Sequence, residues 1–393
     1  MIDELVAEEI SRRQLLRRGA AGAMSLGAAA FLAACGSGGL SASTNKQAKA
    51  IANGELGHTL NFSNWPLYID VNHGKHPTLE KFQKKFGVHV RYTEEINDNN
   101  EFFGKIRPQL AAGSSGGRDI VVLTDWMAGK LIRLGYLQKL NKSALPNVQS
   151  NLTDVLKRPP SDPNRDYTVP WQSGQTGLIY RRDKVGDPTS VSEIFNPKWK
   201  GKVTMLTEMR DSVGLTMLSM GKDPQTGSLQ DALAAVDKID KYVKNGQIRR
   251  FTGNDYLKDL PHGDSWLVFG WSGDAVQLES DNKNIKFVQP KEGYMLWTDN
   301  MMIPVGAPHA YTAEVFMNWV YQPQVEAPIE DYVNYVPPVK GVQQAMRKLD
   351  PPLASSQLIF PSQETLKRAR KFRELSPEED NKLNNAFQRV IGA

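Results

Sequence analysis

The sequence contains one cysteine, Cys35, among 393 residues, so no disulfide can form within the chain and the fold must be held by its own core. It also lacks the motifs that most often carry chemistry. There is no Gly-x-x-x-x-Gly-Lys-Ser/Thr phosphate loop, no Gly-x-Gly-x-x-Gly after a strand, and no Gly-x-Ser-x-Gly nucleophile elbow. These absences argue against nucleotide-dependent, dinucleotide-dependent and serine-hydrolase chemistry.

Histidine is scarce, and no metal or cofactor site is predicted. The six histidines are scattered, and the close pair His73 and His76 supplies fewer ligands than a metal site usually has. The glycine-rich segment 113–117 precedes a strand-like run, whereas an anion cradle follows a strand, so an ordinary loop is predicted there. We therefore expect no cofactor and no metal.

Charge of one sign is not concentrated in any segment. The formal net charge is +5, and residues 1–34 carry four arginines and four acids, so the remainder carries the whole excess. Its basic residues are interspersed with acids rather than clustered with aromatic residues, and we expect no nucleic-acid partner. The 40% hydrophobic content is enough for two domains with buried cores.

The N-terminus has the three-part layout of an export signal. Arg12 and Arg13 precede a low-charge run over 19–34, which is too short and too small-sided to span a membrane. The paired arginines resemble a twin-arginine signal, and Leu32-Ala-Ala-Cys-Gly36 resembles a lipobox. We expect residues 1–34 to be a signal peptide, Cys35 to be lipidated on the outer face of the cytoplasmic membrane, and residues 35–57 to form a flexible tether.

Strand-like and helix-like runs alternate from His58 onwards, which predicts an α/β lobe. The segment 158–166 is dense in turn-forming residues and suggests a boundary. Strands predicted over 167–171 and 177–180 then begin a second lobe. The final helix is predicted to start at the capping box Ser376-Pro-Glu-Glu379.

Aromatic residues and acids recur together in loops after strands. The apolar run 293–304 holds Trp297 and Asp299, which alternation places on one face of a strand. A carboxylate beside an aromatic ring suits a cation, although an edge strand with Asp299 in solvent has the same pattern. Because ligands of open α/β sheets bind at the carboxyl ends of strands, four similar loops favour a binding site; they are Asn64–Tyr68, Thr124–Trp126, Glu208–Asp211 and Trp271–Asp274.

The order of these loops, together with Trp199-Lys-Gly-Lys-Val203 and Pro290-Lys-Glu-Gly293, resembles the spermidine/putrescine-binding receptors of polyamine ABC transporters. The resemblance runs from about His58 to the C-terminus. It implies a two-lobed periplasmic-binding-protein-like (type II) α/β fold, in which each lobe has a central mixed sheet flanked by helices and the ligand lies in the cleft. We expect lobe 1 to comprise residues 58–168, completed by about 299–340, and lobe 2 to comprise 169–298, completed by about 341–393.

The resemblance also implies which residues bind the ligand. In that family aromatic rings sandwich the methylene chain, and carboxylates bind the ammonium ends. Matched by position, the ligand-binding residues are Trp65, Tyr68, Thr124, Trp126, Glu208, Asp211, Trp271, Trp297, Asp299 and Tyr335. The chain departs from the family at Pro66 and Leu67, at Phe372 in place of a glutamine, and at Asp125, which has no acidic counterpart.

The resemblance thus implies a receptor rather than an enzyme, an extracytoplasmic monomer that delivers a polyamine to an ABC transporter permease. The lipid anchor is the expectation from the lipobox-like segment at Cys35. Two alternatives stay open. The first is the same fold with another organic cation, a sugar-amine conjugate or ferric iron as its ligand. The second is an exported hydrolase that uses Glu208, Asp211 or Asp299 as acid and base.

Overall fold

Ten strands form one sheet in the computed structural model, which describes residues 54–392. The predicted signal peptide, Cys35 and most of the predicted tether lie outside the described residues. The strands are β1 Thr59–Asn64, β2 His89–Glu94, β3 Ile120–Thr124, β4 Thr168–Arg181, β5 Val203–Leu206, β6 Ile248–Thr252, β7 Leu267–Trp271, β8 Ile285–Val288, β9 Tyr294–Met302 and β10 Ala369–Arg370.

The strand order is β2-β1-β3-β9-β4-β7-β5-β6, with β10 beside β9 and β8 beside β4. Strands β1, β2 and β3 pair in parallel, as do β5, β6 and β7. Between these two groups the long strands β4 and β9 run antiparallel to each other from Thr168 opposite Met302 to Thr176 opposite Met295, with an irregularity between Pro170 and Gln172. The chain therefore crosses between two lobes on paired strands.

Fifteen α-helices are present in the described residues. They are α1 Pro77–Phe86, α2 Asn99–Ala111, α3 Asp125–Arg133, α4 Pro146–Asn151, α5 Arg182–Val185, α6 Met209–Leu218, α7 Leu229–Lys244, α8 Tyr256–His262, α9 Ser272–Asp281, α10 Ala310–Val320, α11 Pro323–Val333, α12 Val342–Leu349, α13 Pro351–Ala354, α14 Gln363–Lys367 and α15 Pro377–Ile391. Short 3-10 helices cover Lys142–Ala144, Asp154–Leu156, Val191–Phe195 and Pro197–Trp199. None of the helices within 54–392 has the length and apolarity needed to cross a membrane.

Local sequence explains where several helices begin. Asp98 caps α2 by accepting from the backbone N–H groups of Asn100 and Glu101, which would otherwise lack partners. Ser376 and Glu379 form the predicted capping box of α15. These polar caps fix the helix starts, and the apolar faces that follow pack on the sheet.

Separate hydrophobic cores lie on the two sides of the crossing. The first lobe is built around residues such as Phe62, Trp171 and Phe316, with a smaller cluster around Phe102 and Met127 under α2 and α3. The second lobe contains its own cluster, which includes Phe269.

The C-terminal part of the chain returns to the second lobe. Val342 packs in the first core, whereas Leu375, Leu383 and Phe387 pack in the second. The return of the chain to the second lobe therefore falls between residues 342 and 375. The boundary expected from the sequence, about 341, stays a prediction.

Candidate functional site

Asp299 lies where β9 passes from one lobe to the other, and only 5% of it is exposed. The Thr124 hydroxyl donates to its Oδ1 at 2.7 Å, and the Tyr68 hydroxyl donates to its Oδ2 at 2.9 Å. Burial raises the pKa of Asp299 to about 7, against the lowering effect of these two hydrogen bonds. The carboxyl group is thus held in position but incompletely neutralised.

Two further acids come from the second lobe at the start of α6. Glu208 caps the helix, accepting from the Arg210 backbone N–H at 3.2 Å, and Asp211 accepts from the Trp271 indole N–H at 2.9 Å. Burial raises the pKa of Asp211 to about 6. Burial, together with the charge of nearby Asp211, raises the pKa of Glu208 to about 8.

No lysine or arginine in the described part of the chain forms a salt bridge with Asp299, Asp211 or Glu208. Buried carboxylates usually have a cationic partner, because an unpaired buried charge is costly. Burial is the main cause of the raised pKa of all three acids, and at Glu208 the charge of Arg210 partly opposes it. The arrangement is suited to accept positive charge from outside the chain.

Aromatic rings line the space between these acids. The Trp297 ring meets the Tyr335 ring edge-on with centroids 5.3 Å apart, and Tyr335 meets Tyr68 at 5.7 Å. The Trp65 indole N–H donates to the Val122 carbonyl at 3.0 Å, which fixes that ring. Such rings present apolar and π-electron surface to a bound group.

Two glycines make room for these rings. A Cβ on Gly174 would lie 2.1 Å from the Trp297 ring, and a Cβ on Gly273 would lie 2.7 Å from the Tyr335 ring. Both distances are well below van der Waals contact. The sequence therefore permits the aromatic residues to pack directly on the backbone of β4 and α9.

We call the resulting cavity the inner pocket; its volume is about 80 Å³. Nine of the ten predicted ligand-binding residues line it: Trp65, Tyr68, Thr124, Glu208, Asp211, Trp271, Trp297, Asp299 and Tyr335. The tenth, Trp126, does not line it. Five polar residues that the sequence did not single out also do so: Asn97, Asp98, Asn99, Thr207 and Asn254.

Beyond Trp297 the cleft continues into a larger cavity of about 460 Å³, which we call the outer chamber. Trp126 lies here, with the Arg210 guanidinium stacked 3.7 Å from its ring centroid. Arg210 also pairs with Asp380 at 2.6 Å, and Lys130 lies 3.7 Å from the same carboxylate. Trp126 and Lys130 belong to the first lobe and Arg210 and Asp380 to the second, so these contacts join the lobes across the cleft.

Within 54–392 no cluster of histidine, cysteine and acidic side chains has an arrangement able to hold a metal ion. His76, one of the two clustered histidines, contacts the Asp70 carbonyl at 3.1 Å. The chemistry of the inner pocket is thus that of unpaired acids, hydroxyl donors and aromatic faces.

The comparison with known families decides what kind of protein carries this cleft. Residues 78–358 match the family described as bacterial extracellular solute-binding protein. The chain belongs to this family.

Relatives of this solute-binding protein include well-covered matches. It is 27% identical over 319 residues to the spermidine/putrescine-binding periplasmic protein of Escherichia coli K12, covering 80% of this chain and 87% of that one. It is 31% identical over 297 residues to the putrescine-binding periplasmic protein PotF of the same organism, covering 70% and 77%.

A solved structure supports the fold of this solute-binding protein. The spermidine/putrescine ABC transporter substrate-binding protein PotD from Streptococcus pneumoniae superposes with a TM-score of 0.70 at 23% identity, covering 85% of this chain and 98% of that one. The prediction of a two-lobed type II α/β fold is confirmed.

The residues expected from the sequence to depart from the family pattern have different positions in the structure. Pro66 lines the inner pocket. Leu67 is buried in the core with a φ of 58° and does not line either cavity. Phe372 and Asp125 line the outer chamber, where Asp125 lies 3.7 Å from the Lys371 ammonium. The Asp125 carboxylate is therefore partnered, in contrast with the inner acids.

Proposed function

We propose that this protein is an extracytoplasmic receptor that binds a polyamine, spermidine or putrescine, in the inner pocket and delivers it to an ABC transporter permease. The single observation that carries the proposal is the set of three buried carboxyl groups, Asp299, Asp211 and Glu208, that form no salt bridge in the described chain and face one pocket lined by aromatic rings. The relatives named above bind spermidine or putrescine according to their names.

A polyamine matches these groups chemically. Each ammonium loses hydration when it enters the cleft and needs an anion and hydrogen-bond acceptors in return. Asp299 offers a carboxylate on the first-lobe side and Asp211 offers one on the second-lobe side. The rings of Trp297, Trp271 and Tyr335 contact the methylene groups between them and add cation–π attraction of about 0.5 to 2 kcal/mol.

The origin of the acids in different lobes links binding to lobe closure. Asp299 is held by Tyr68 and Thr124 of the first lobe, and Asp211 is held by Trp271 of the second. A dication bound to both would draw the lobes together, the hinge closure expected of two-lobed receptors. The closed form is what the proposed permease would recognise.

The proposal also covers the cellular location of the receptor. We propose that residues 1–34 direct export through the paired arginines, that Cys35 is lipidated, and that residues 35–57 tether a monomeric receptor to the outer face of the cytoplasmic membrane. The sequence pattern at Leu32-Ala-Ala-Cys-Gly36 supports this part. Mass spectrometry of the purified membrane fraction would detect the lipid on Cys35, and a Cys35→Ala chain that stayed on the membrane would contradict it.

Calorimetric titration of the full chain tests the ligand. Putrescine and spermidine should bind with micromolar or tighter affinity, about −8 kcal/mol, while sugars, amino acids and ferric iron should give no heat. The Asp299→Asn variant should lose about tenfold to 150-fold in affinity, because a hydrogen bond to a charged group contributes about 1.5 to 3 kcal/mol.

A matched control separates a direct role from general damage. Glu314 is a fully buried acid of the first lobe outside the cleft, and Glu314→Gln should bind the amines as the wild type does. Equal affinity of Asp299→Asn and wild type for every amine would reject the assignment of the inner pocket. The absence of any amine binding would reject the function.

A further inference from the structure

The outer chamber has a different character from the inner pocket. Its volume, about 460 Å³ against about 80 Å³, lies in the range of cavities that hold drug-sized ligands. Trp297, Thr124, Glu208 and Asp211 line both cavities, so the two are continuous. A ligand anchored in the inner pocket can therefore extend into the outer chamber.

Six basic residues line the outer chamber, and three of them have carboxylate partners. Arg210 pairs with Asp380, Lys371 with Asp125, and Arg373 with Glu379. The other three, which come from the first lobe, form no salt bridge within the described residues: Arg133, Arg158 and Arg165.

Arg165 makes its hydrogen bonds to neutral acceptors, although the charges of Asp162 and Asp125 act on it from nearby. Its guanidinium donates to the Leu156 carbonyl, to the Thr168 hydroxyl at 2.8 Å and to the Asn300 amide oxygen at 2.7 Å, all neutral acceptors. Burial lowers the pKa of Arg165. An anion in the chamber would compensate this partly buried charge.

Arg133 and Arg158 are exposed to the chamber and lie on adjoining segments. Helix α3 packs closely on the loop that follows Arg158: a Cβ on Gly129 would lie 2.9 Å from the Ser161 Cβ and 3.5 Å from the Arg133 Nη1. The Trp126 indole N–H on the same helix is buried and has no acceptor among the described residues. This wall therefore offers donors and positive charge without matching acceptors.

The remaining acids of the outer chamber do not cancel this wall. Asp125 is paired with Lys371, Glu208 and Asp211 also face the inner pocket, and Glu374 is exposed. Met295, Leu375 and Phe372 give the chamber apolar surface. The inner pocket is thus lined by acids and by no basic residue, whereas the outer chamber adds apolar side chains and the three arginines.

We propose that the preferred ligand is an amine whose far end carries a carboxylate, such as a diamine acylated by a dicarboxylic acid, with its one ammonium at Asp299 in the inner pocket and the carboxylate at Arg133 and Arg158. The inference rests on the proposed function of the inner pocket and specifies its substrate class. A polyamine long enough to enter the outer chamber would place an ammonium against unpaired guanidinium groups, which is unfavourable.

Three probes that differ in the group at their far end test the inference by calorimetry on the full chain. They are putrescine, monoacetylated putrescine with a neutral far end, and monosuccinylated putrescine with a carboxylate there. The succinylated probe should bind at least tenfold more tightly than the acetylated one. In Arg133→Gln/Arg158→Gln this difference should disappear, while putrescine binds within about twofold of wild type.

The control is Lys157→Gln, because Lys157 is an exposed neighbour of Arg158 that pairs with Asp154 and does not line the chamber. It should keep the full preference for the succinylated probe. Equal binding of the acetylated and succinylated probes, or a preference that survives the double arginine variant, would overturn the inference while putrescine binding upholds the function. Failure of all three probes to bind would reject the proposed function and the inference together.

Discussion

The affinity of an amine for the inner pocket is expected to rise steeply between pH 6 and pH 8. An ammonium pairs with ionised carboxylates, and the alkyl ammonium groups stay protonated over this range. In the free protein the pKa of Asp211 is about 6 and that of Asp299 about 7. A bound cation lowers both values, so binding releases protons and becomes more favourable as the pH rises through the free-protein pKa.

The magnitude follows from these values. At pH 6 an acid with a pKa of about 7 is ionised in about one molecule of eleven, and one with a pKa of about 6 in about half. Both acids must be ionised to bind the amine. This requirement reduces the affinity by about 20-fold at pH 6, or about 1.8 kcal/mol, and by almost nothing at pH 8. If Glu208, with a pKa of about 8, must also ionise, the increase in affinity between pH 6 and pH 8 is larger by a further factor of about 50.

Calorimetry at pH 6, 7 and 8 measures this rise, and two buffers with different ionisation enthalpies count the protons released. In Asp299→Asn the tenfold share of the rise that belongs to Asp299 should be lost. Glu314→Gln serves as the control, because burial raises the pKa of Glu314 to about 7 outside the cleft, and it should keep the full rise. Affinity that stays constant from pH 6 to pH 8, without buffer-dependent heat, would refute the reasoning.

Three further predictions concern the scaffold. Burial raises the pKa of Glu326 to about 8, so the stability that its protonation contributes is fully present below the unfolded-state pKa and is lost as the pH rises through about 8, at a total cost of up to about 5 kcal/mol. Thermal unfolding of Glu326→Gln should depend less on pH between 6 and 9, and an unchanged dependence would contradict this. Gly174→Ala should displace the Trp297 ring and reduce amine affinity, measured by calorimetry, at least about tenfold. The control Gly104→Ala should not reduce the affinity, because no atom lies within 4 Å of its added Cβ. Equal affinities of the two variants would show that the Trp297 ring adapts to the added methyl group. Asp380→Asn should weaken the contacts of Arg210 and Lys130 across the cleft and raise the ligand dissociation rate severalfold in stopped-flow fluorescence, and an unchanged rate would mean that these contacts do not hold the lobes together.

Hydrophobic patterning predicted much of the secondary structure but divided the longest strand. The runs 167–171 and 177–180 are apolar, and the polar segment between them looks like a turn. In the structure both belong to β4, Thr168–Arg181. The polar residues are buried because this stretch crosses between the lobes, where Ser173 bonds with Thr298 at 2.9 Å and Thr176 accepts from the Trp297 indole at 3.1 Å. These partners are more than 100 residues away along the chain, so local pattern cannot reveal them.

The residues of the ligand site were predictable from the sequence to about the same extent as the secondary structure. The positions of Trp297 and Asp299 on one strand, together with the family resemblance, identified most residues that line the inner pocket. The location of Trp126 was not predictable, because Arg210 of the other lobe stacks on its ring and this contact depends on tertiary structure. The buried acids Glu326 and Glu330 were missed for the same reason, since each sits on a helix whose burial is set by packing.

The place of β9 in the sheet has a consequence for how the chain is assembled during synthesis. β9 lies between β3 and β4, yet it comes last of the three along the chain, at Tyr294–Met302. Until the ribosome has made that segment, β3 and β4 present open edges that can pair with other chains. Neither lobe can complete its sheet alone, so folding is expected to be late and cooperative, with the non-local pairing that slows it. A truncation before residue 294 should therefore aggregate rather than yield a folded first lobe.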